Sequence, residues 1–257
     1  MPNDLSTTSS IHRRIDLNAD LGEGGAFDEA ILSIVSSANI ACGGHTGDEQ
    51  SMRTAVRLAN FNQVAIGAHP SFVDREHFGR APQHPPLDQL FKQLCEQVDL
   101  LKQIAAAENS VLRHLKPHGA LYNQAANDAA LGEILIRVIQ HCQPNLSLVA
   151  LAGSQLVAQA RAANLHVREE AFADRRYNSD GSLRARTFPD ACLESSDEVV
   201  QQCLEILERQ RVRSVSDKWI PMHADSLCVH GDGAHALSLL EAIKKQLHIQ
   251  GFTITTD

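Results

Sequence analysis

The chain alternates short apolar runs with longer amphipathic stretches. The short runs predict strands over 14–19, 38–42, 64–68, 111–116, 146–152, 166–171 and 227–230, with 252–255 as one more. The stretches between them predict helices over 28–36, 48–60, 86–107, 128–142, 154–163, 196–211 and 233–247. Asp48, Asp128, Ser154 and Ser196 stand where an N-cap or first-turn residue is wanted. Strands that alternate with helices form right-handed βαβ units on a parallel sheet. The expected fold is therefore α/β, an irregular (β/α) barrel of about seven parallel strands. An open doubly wound sheet is the alternative. No linker or internal repeat divides 14–257, so it is expected to form a single barrel domain behind a flexible tail over 1–13. Two connections, 70–85 and 172–195, exceed the usual loop length and read as lids or binding loops.

Polar residues collect at the carboxyl ends of the predicted strands, where parallel α/β folds bind ligands. The first strand reads Ile15-Asp16-Leu17-Asn18-Ala19-Asp20, and period two puts Asp16, Asn18 and Asp20 on one face. Glycines at 22, 24 and 25 then free the backbone to turn and to approach a ligand. The second strand ends with Asn39 and leads to His45, and the third delivers His69. In the fourth, His114, Lys116 and His118 share a face, with Tyr122 just beyond. A lysine inside a barrel needs an anion: a substrate group or a carboxylate from the first strand. The sixth strand carries Glu170 and leads to Asp174 and Arg175. The seventh ends in His230-Gly231-Asp232-Gly233, an imidazole and a carboxylate at a helix start. Carboxylates, histidines and a few cations converging at one end suit acid–base or metal-assisted chemistry on a small anionic molecule.

Composition narrows this further. The 257 residues carry a net charge of −8 and only 4% aromatics, which argues against nucleic-acid binding. The thirteen histidines are many beside 23 Lys plus Arg and suit a site working near neutral pH or a metal. His45, His69, His118 and His230 could surround a divalent ion with Asp20 or Asp232, although no tight ligand spacing marks the set. The six cysteines form no Cys-x-x-Cys pair and read as free thiols in a reducing compartment. No signal-peptide core and no membrane span is evident, so a cytoplasmic protein is expected. The P-loop, HExxH and GxSxG patterns are absent.

Six segments, IDLNADLGEG (15–24), SANIACGGHTGD (37–48), VAIGAHPSFVDREHFGR (64–80), LKPHGALYNQAA (115–126), REEAFADRRY (168–177) and CVHGDGAHAL (228–237), resemble the LamB/YcsF family in order and over nearly the whole chain. The resemblance implies a barrel of the glycoside hydrolase/deacetylase type. It implies ATP-dependent opening of 5-oxo-L-proline to L-glutamate, shared with two partner subunits, B and C. The expected catalytic set is Asp20, His45, His69, His118, Glu170, His230 and Asp232. The expected substrate-binding set is Asp16, Asn18, Asn39, Lys116, Tyr122, Asp174 and Arg175. Within these, Asp20 or Glu170 would activate water, Lys116 or Arg175 would hold an anion, and His69, His118 and His230 would move protons or donate to the developing oxyanion. ATP is the expected cofactor, bound on this chain or mainly on a partner. A divalent metal is a second candidate, at His69, His118 and His230. The sequence is also open to a homo-oligomer. Gly44 and Arg176 depart from the family pattern, which favours a bulkier residue at the first and a small one at the second. Two rival readings are a metal-dependent amidohydrolase or sugar deacetylase without ATP, and a non-catalytic subunit that only binds substrate.

Overall fold

A computed structural model describes residues 13–229 and 236–256. In chain order the elements are β1 (Arg13–Leu21), α1 (Asp28–Leu32), β2 (Ser37–Ala41), α2 (Glu49–Phe61), β3 (Ala65–His69) and α3 (Leu87–Ala107). There follow β4 (Leu112–Leu115), α4 (Gly119–Ala125), α5 (Ala129–Cys142), β5 (Ser147–Leu151), α6 (Gln155–Ala162) and β6 (Val167–Phe172). The chain ends with α7 (Ser196–Arg209), β7 (Arg211–Arg213), β8 (Trp219–Pro221), β9 (Ser226–Cys228), α8 (Ala236–Ile249) and β10 (Phe252–Ile254).

Seven parallel strands close a barrel in the order β1-β2-β3-β4-β5-β6-β9 and back to β1. β10 pairs outside this ring with the first residues of β1, Arg13 to Ile15. The barrel was expected, and its irregularity has two local causes. Between β4 and β5 the chain makes two helices rather than one, and between β6 and β9 it makes a long loop, α7 and the antiparallel β7–β8 hairpin.

The alternation read from β1 holds. Leu17, Ala19 and Leu21 join the apolar cluster shared with the helices. Asp16, Asn18 and Asp20 turn inward, where they meet polar side chains of other strands. Ile40, Ile66, Ala68, Leu115 and Leu227 lie in the same apolar cluster. The barrel is thus apolar outside, against its helices, and polar within.

Several predicted boundaries move. Arg13 already belongs to β1, so the predicted tail loses its last residue, while residues 1–12 lie outside the described residues. The helix predicted over 28–36 stops at Leu32; Ile34 and Val35 are buried in the turn to β2. Gln210 closes α7 in the left-handed region, and the next element is a strand rather than more helix. The six cysteines are free thiols. Among the described residues no helix is long and apolar enough to cross a membrane.

Candidate functional site

The barrel interior is built in tiers. At the closed end the Asp16 carboxylate accepts hydrogen bonds from Ser36, Ser37 and Ser226. One step up, Asn18 donates to Glu170 Oε1 at 2.9 Å and to Ser226 Oγ at 2.7 Å. Asn39 donates to Asn18 Oδ1 at 2.8 Å and to Asp20 Oδ1 at 2.9 Å. Burial lowers the pKa of His114 to about 3, so its ring is neutral and its Nε2–H donates to Asn39 Oδ1 at 2.8 Å. The ring fits because residue 67 is glycine: a Cβ there would overlap it.

Lys116 joins this tier to the next. Its Nζ lies 2.9 Å from both Asp20 Oδ1 and Glu170 Oε1, 3.4 Å from Asn18 Oδ1 and 3.2 Å from Cys228 Sγ. Burial works against its charge, but the two carboxylates outweigh burial and raise its pKa well above the usual lysine value. The ammonium is committed to protein groups, with its first-strand carboxylate partner now identified as Asp20. Of the two partners left open for it, a substrate anion or a first-strand carboxylate, the structure shows the second.

Above Lys116, at the carboxyl ends of the strands, Glu23, His45, His69 and His118 converge. His69 donates from Nδ1 to the Lys116 carbonyl at 2.8 Å, and His118 donates from Nε2 to the Phe78 carbonyl at 2.9 Å. Ser71 spends its hydroxyl proton on the Phe72 carbonyl, so it accepts from His45 Nδ1 at 3.0 Å. The other nitrogen of each ring lies with the Glu23 carboxylate in a group of atoms within 4.8 Å of one another. His69 Nε2 is 2.9 Å from His118 Nδ1, and His45 Nε2 is 3.1 Å from Glu23 Oε1. The rings of His45 and His118 stack with centroids 3.6 Å apart. Burial opposes charge on His69, but the Asp20 carboxylate, 3.4 Å from Nε2, overrides it and raises the pKa. Burial, followed by the positive charge of His69, drives His118 well below the ordinary value, and burial lowers His45. A proton on either of the two nitrogens makes the His69–His118 contact a hydrogen bond.

The 70–86 loop makes this packing. Gln97 of α3 pins it, accepting from Ser71 N at 3.0 Å and donating to Ser71 O at 2.9 Å. Gly79 has a positive φ of 65°, and a Cβ there would come within 2.8 Å of His45 Cβ and 3.0 Å of His118 Cδ2. Gly44 is equally constrained, because a Cβ would overlap Ser71 Oγ and Gln97 Oε1. The bulkier residue expected there has no room. Arg176 pairs with Glu198 on the surface, away from the cluster.

A cavity of about 540 Å³ opens over Asp20, Glu23, His69 and His118. Lys116, Tyr122, Phe172 and Arg175 wall its depth, and Arg80, Arg184 and Arg186 stand at its sides. Of the residues expected at the site, Asp20, His69, His118, Lys116, Tyr122 and Arg175 line it. His45 sits behind the lining in the four-residue cluster. Asp16, Asn18, Asn39, Glu170 and Asp174 do not line it. Glu170 is fully buried beneath Lys116, which corrects its expected place beside a reacting water. His230 and Asp232 lie outside the described residues. Glu23 was passed over as part of a glycine turn; an acid held between glycines directly after a strand was the available signal. Cys42 and Cys228 carry buried thiols whose pKa burial pushes up, that of Cys42 to about 12, which disfavours the thiolate a nucleophile needs.

The model of the LamB/YcsF family matches residues 15–256. The chain belongs to the LamB/YcsF family. Within it, the A subunit of 5-oxoprolinase from Erwinia tasmaniensis is 47% identical over 243 residues, 95% of this chain and 99% of that one. The crystal structure of the lactam utilization protein from Thermus thermophilus superposes with a TM-score of 0.87 at 34% identity, covering 95% of this chain and 100% of that chain. A putative cellobiose-phosphate cleavage protein from Enterococcus faecalis V583 shares the fold alone, with a TM-score of 0.59 at 11% identity over 95% of this chain and 97% of that chain. All six LamB/YcsF segments quoted from the sequence fall inside the matched range.

Proposed function

We propose that this chain is the A subunit of a 5-oxoprolinase. It opens the lactam of 5-oxo-L-proline to L-glutamate with hydrolysis of ATP to ADP and phosphate, and it works with partner subunits B and C in the cytoplasm. The observation that carries the reading is the cavity above Asp20, where a carboxylate and two histidines stand beside the buried cation Arg175. The 5-oxoprolinase relative, nearly half identical along almost the full length, supplies the substrate class.

A lactam resists water because amide resonance quenches its carbonyl. Phosphorylation of the amide oxygen turns that oxygen into a leaving group and activates the carbon. Water then adds to that carbon, the ring C–N bond of the tetrahedral adduct breaks to leave an acyl phosphate, and a second water displaces the phosphate to give L-glutamate. Asp20 is placed to take the proton of the attacking water, through the Oδ2 that faces His69. His69 and His118 form a short path for that proton. Arg175 suits the substrate carboxylate. A cavity of about 540 Å³ has room for more than a lactam ring, and Arg80, Arg184 and Arg186 suit the phosphates of a nucleotide.

The test is glutamate and ADP release from 5-oxoproline plus ATP, by the chain alone and with B and C. Coupled release by the assembled complex, with little by the single chain, is the expected result. The converging histidines favour a second reading, an amidohydrolase or sugar deacetylase that uses a metal and no ATP. Glutamate release, or deacetylation of an amino sugar, without ATP would establish it in place of the first. Full activity of a complex carrying Asp20→Asn would reduce the chain to a substrate-binding role.

A further inference from the structure

The long connection over 172–195 has a fixed part and a free part. Arg176 N donates to Ala191 O at 3.0 Å and Arg184 N to Arg176 O at 2.9 Å, which fastens both feet of an excursion over 185–190. Among the described residues, the bonds of the excursion stay local: Phe188 N to Ala185 O, Ala191 N to Phe188 O, and Arg184 to Asp190 at 2.6 Å. Residues 185–190 are all exposed, and Phe188 keeps 48% of its surface in solvent. An apolar ring so placed gains cover when the excursion folds inward.

Arg175 holds both feet. Its Nε donates to Ala191 O at 3.3 Å and its Nη2 to Arg184 O, two of the five N–H groups of the guanidinium. Arg175 is buried yet contributes to the cavity wall, and exposed Arg186 reaches the same wall from the excursion. The two charges oppose one another. Burial, and then the charge of Arg186, lower the pKa of Arg175, and the neighbouring Asp174 offsets this by less. Like charges at one cavity wall repel until an anion comes between them.

We propose that Arg175 and Arg186 clamp one anionic group of the bound reactants, a carboxylate or a phosphate, and that the clamp draws 185–190 over the cavity. Arg175 is the fixed jaw, because it is buried and bonded to both feet. Arg186 is the moving jaw, because it sits on the exposed excursion between them. Two guanidinium forks suit either anion, and its charge removes their mutual repulsion. Closure keeps bulk water from the activated carbon, so that the water at Asp20 is the one that adds. The proposal takes its reactants from the lactam reading, whereas the clamp itself needs only the anion.

Trypsin reads the excursion directly, because it cuts after Arg186 when 185–190 is open. The full chain is digested without ligand, with 5-oxo-L-proline, with ATP, and with γ-butyrolactam, which has the same ring without the carboxylate, each at about 10 mM. A free peptide substrate controls for effects on the protease. Cleavage after Arg186 should slow by at least ~10-fold with 5-oxo-L-proline and not at all with γ-butyrolactam. The same slowing with ATP alone supports the clamp and assigns it to a phosphate. Arg175→Lys keeps the charge but loses the fork, so its ligand-free cleavage should run about tenfold faster and the protection should vanish. Protection by γ-butyrolactam equal to that by 5-oxo-L-proline overturns the proposal. So does protection by no ligand, or an Arg175→Lys chain digested like the wild type. If Arg175→Lys fails to fold, the ligand arms on the wild type decide alone. Glutamate release by the complex without protection sinks the clamp and leaves the lactam reading; protection without release does the reverse.

Discussion

The closed end of the barrel and its mouth hold similar side chains in different settings, the first sealed inside the barrel and the second beside an open cavity. At the closed end, three serines saturate Asp16, and Asn18, Asn39 and His114 Nε2 form one continuous chain of donors and acceptors that leaves only His114 Nδ1 over among them. At the mouth, Glu23 and three histidines contact one another, and a cavity opens over Glu23, His69 and His118. Burying polar groups costs little when each finds a partner and much when one is left over. A polar group deleted from the closed end should therefore cost stability. One deleted from the mouth should cost activity while leaving the melt nearly unchanged.

Asp20 sits at the junction and gives the largest expected effect. Asp20→Asn keeps an oxygen for Lys116 and Asn39 but removes the base. Turnover of the assembled complex should fall about 10²–10⁴-fold with melting close to the wild type. A variant that unfolds instead would place Asp20 with the closed end. Lys116→Met comes next. It strands Asp20 and Glu170 without their counter-charge, which should cost about 3–5 kcal/mol in urea unfolding and lower Tm by about 6–20 °C. An unchanged melt would mean that the two carboxylates tolerate each other without the lysine, contrary to the tiered arrangement.

Ser226→Ala probes the closed end with a smaller group. Its hydroxyl donates to Asp16 Oδ2 at 2.6 Å and accepts from Asn18 at 2.7 Å, so both partners lose a bond. The expected cost is about 1–3 kcal/mol, with activity per folded molecule retained. Loss of activity at wild-type stability would break the comparison from the other side.

These contrasts bear on what the sequence could reveal. Period two assigned Asp16, Asn18 and Asp20 to one face correctly, because alternation is a property of each strand alone. It carries no height along the barrel axis. Asp16 and Glu170 therefore looked as functional as Asp20, although they lie below Lys116 or lower. Height depends on the stagger between neighbouring strands, as in Asp16 opposite Ser226 and Asp20 opposite Asn39, and stagger is a tertiary property. His69 and His118 were legible as histidines that end or follow strands. Glu23 was not, because glycines around an acid signal a turn as readily as a ligand. The helix α4 was not among the predicted elements, because Pro117 and Gly119 interrupt the apolar periodicity just where it begins, and His118 is its N-cap residue.

The smallest expected effect concerns the loop that covers the mouth, where the stabilising pairs are exposed. His77 lies 2.9 Å from Asp74 Oδ1, and Asp74 also fastens the loop through its backbone, to Gly44 O and from Gly79 N. The hydrogen bond from Asp74, and then its charge, raise the pKa of His77. Burial pushes Asp74 up, but the bonds from His77 outweigh it and hold that carboxyl below its usual value. A raised histidine pKa in the folded state means that its contribution is complete below the unfolded value of about 6.5 and disappears as pH rises through the folded value. His77→Ala should therefore melt slightly below the wild type at about pH 5.5, and the gap should close by about pH 8.5. Thermal melts of both proteins at the two pH values read this directly. A gap that persists at the higher pH would show that the ring holds the loop by packing rather than by charge. The mouth would then share more of the closed end's self-sufficiency than its exposed pairs suggest.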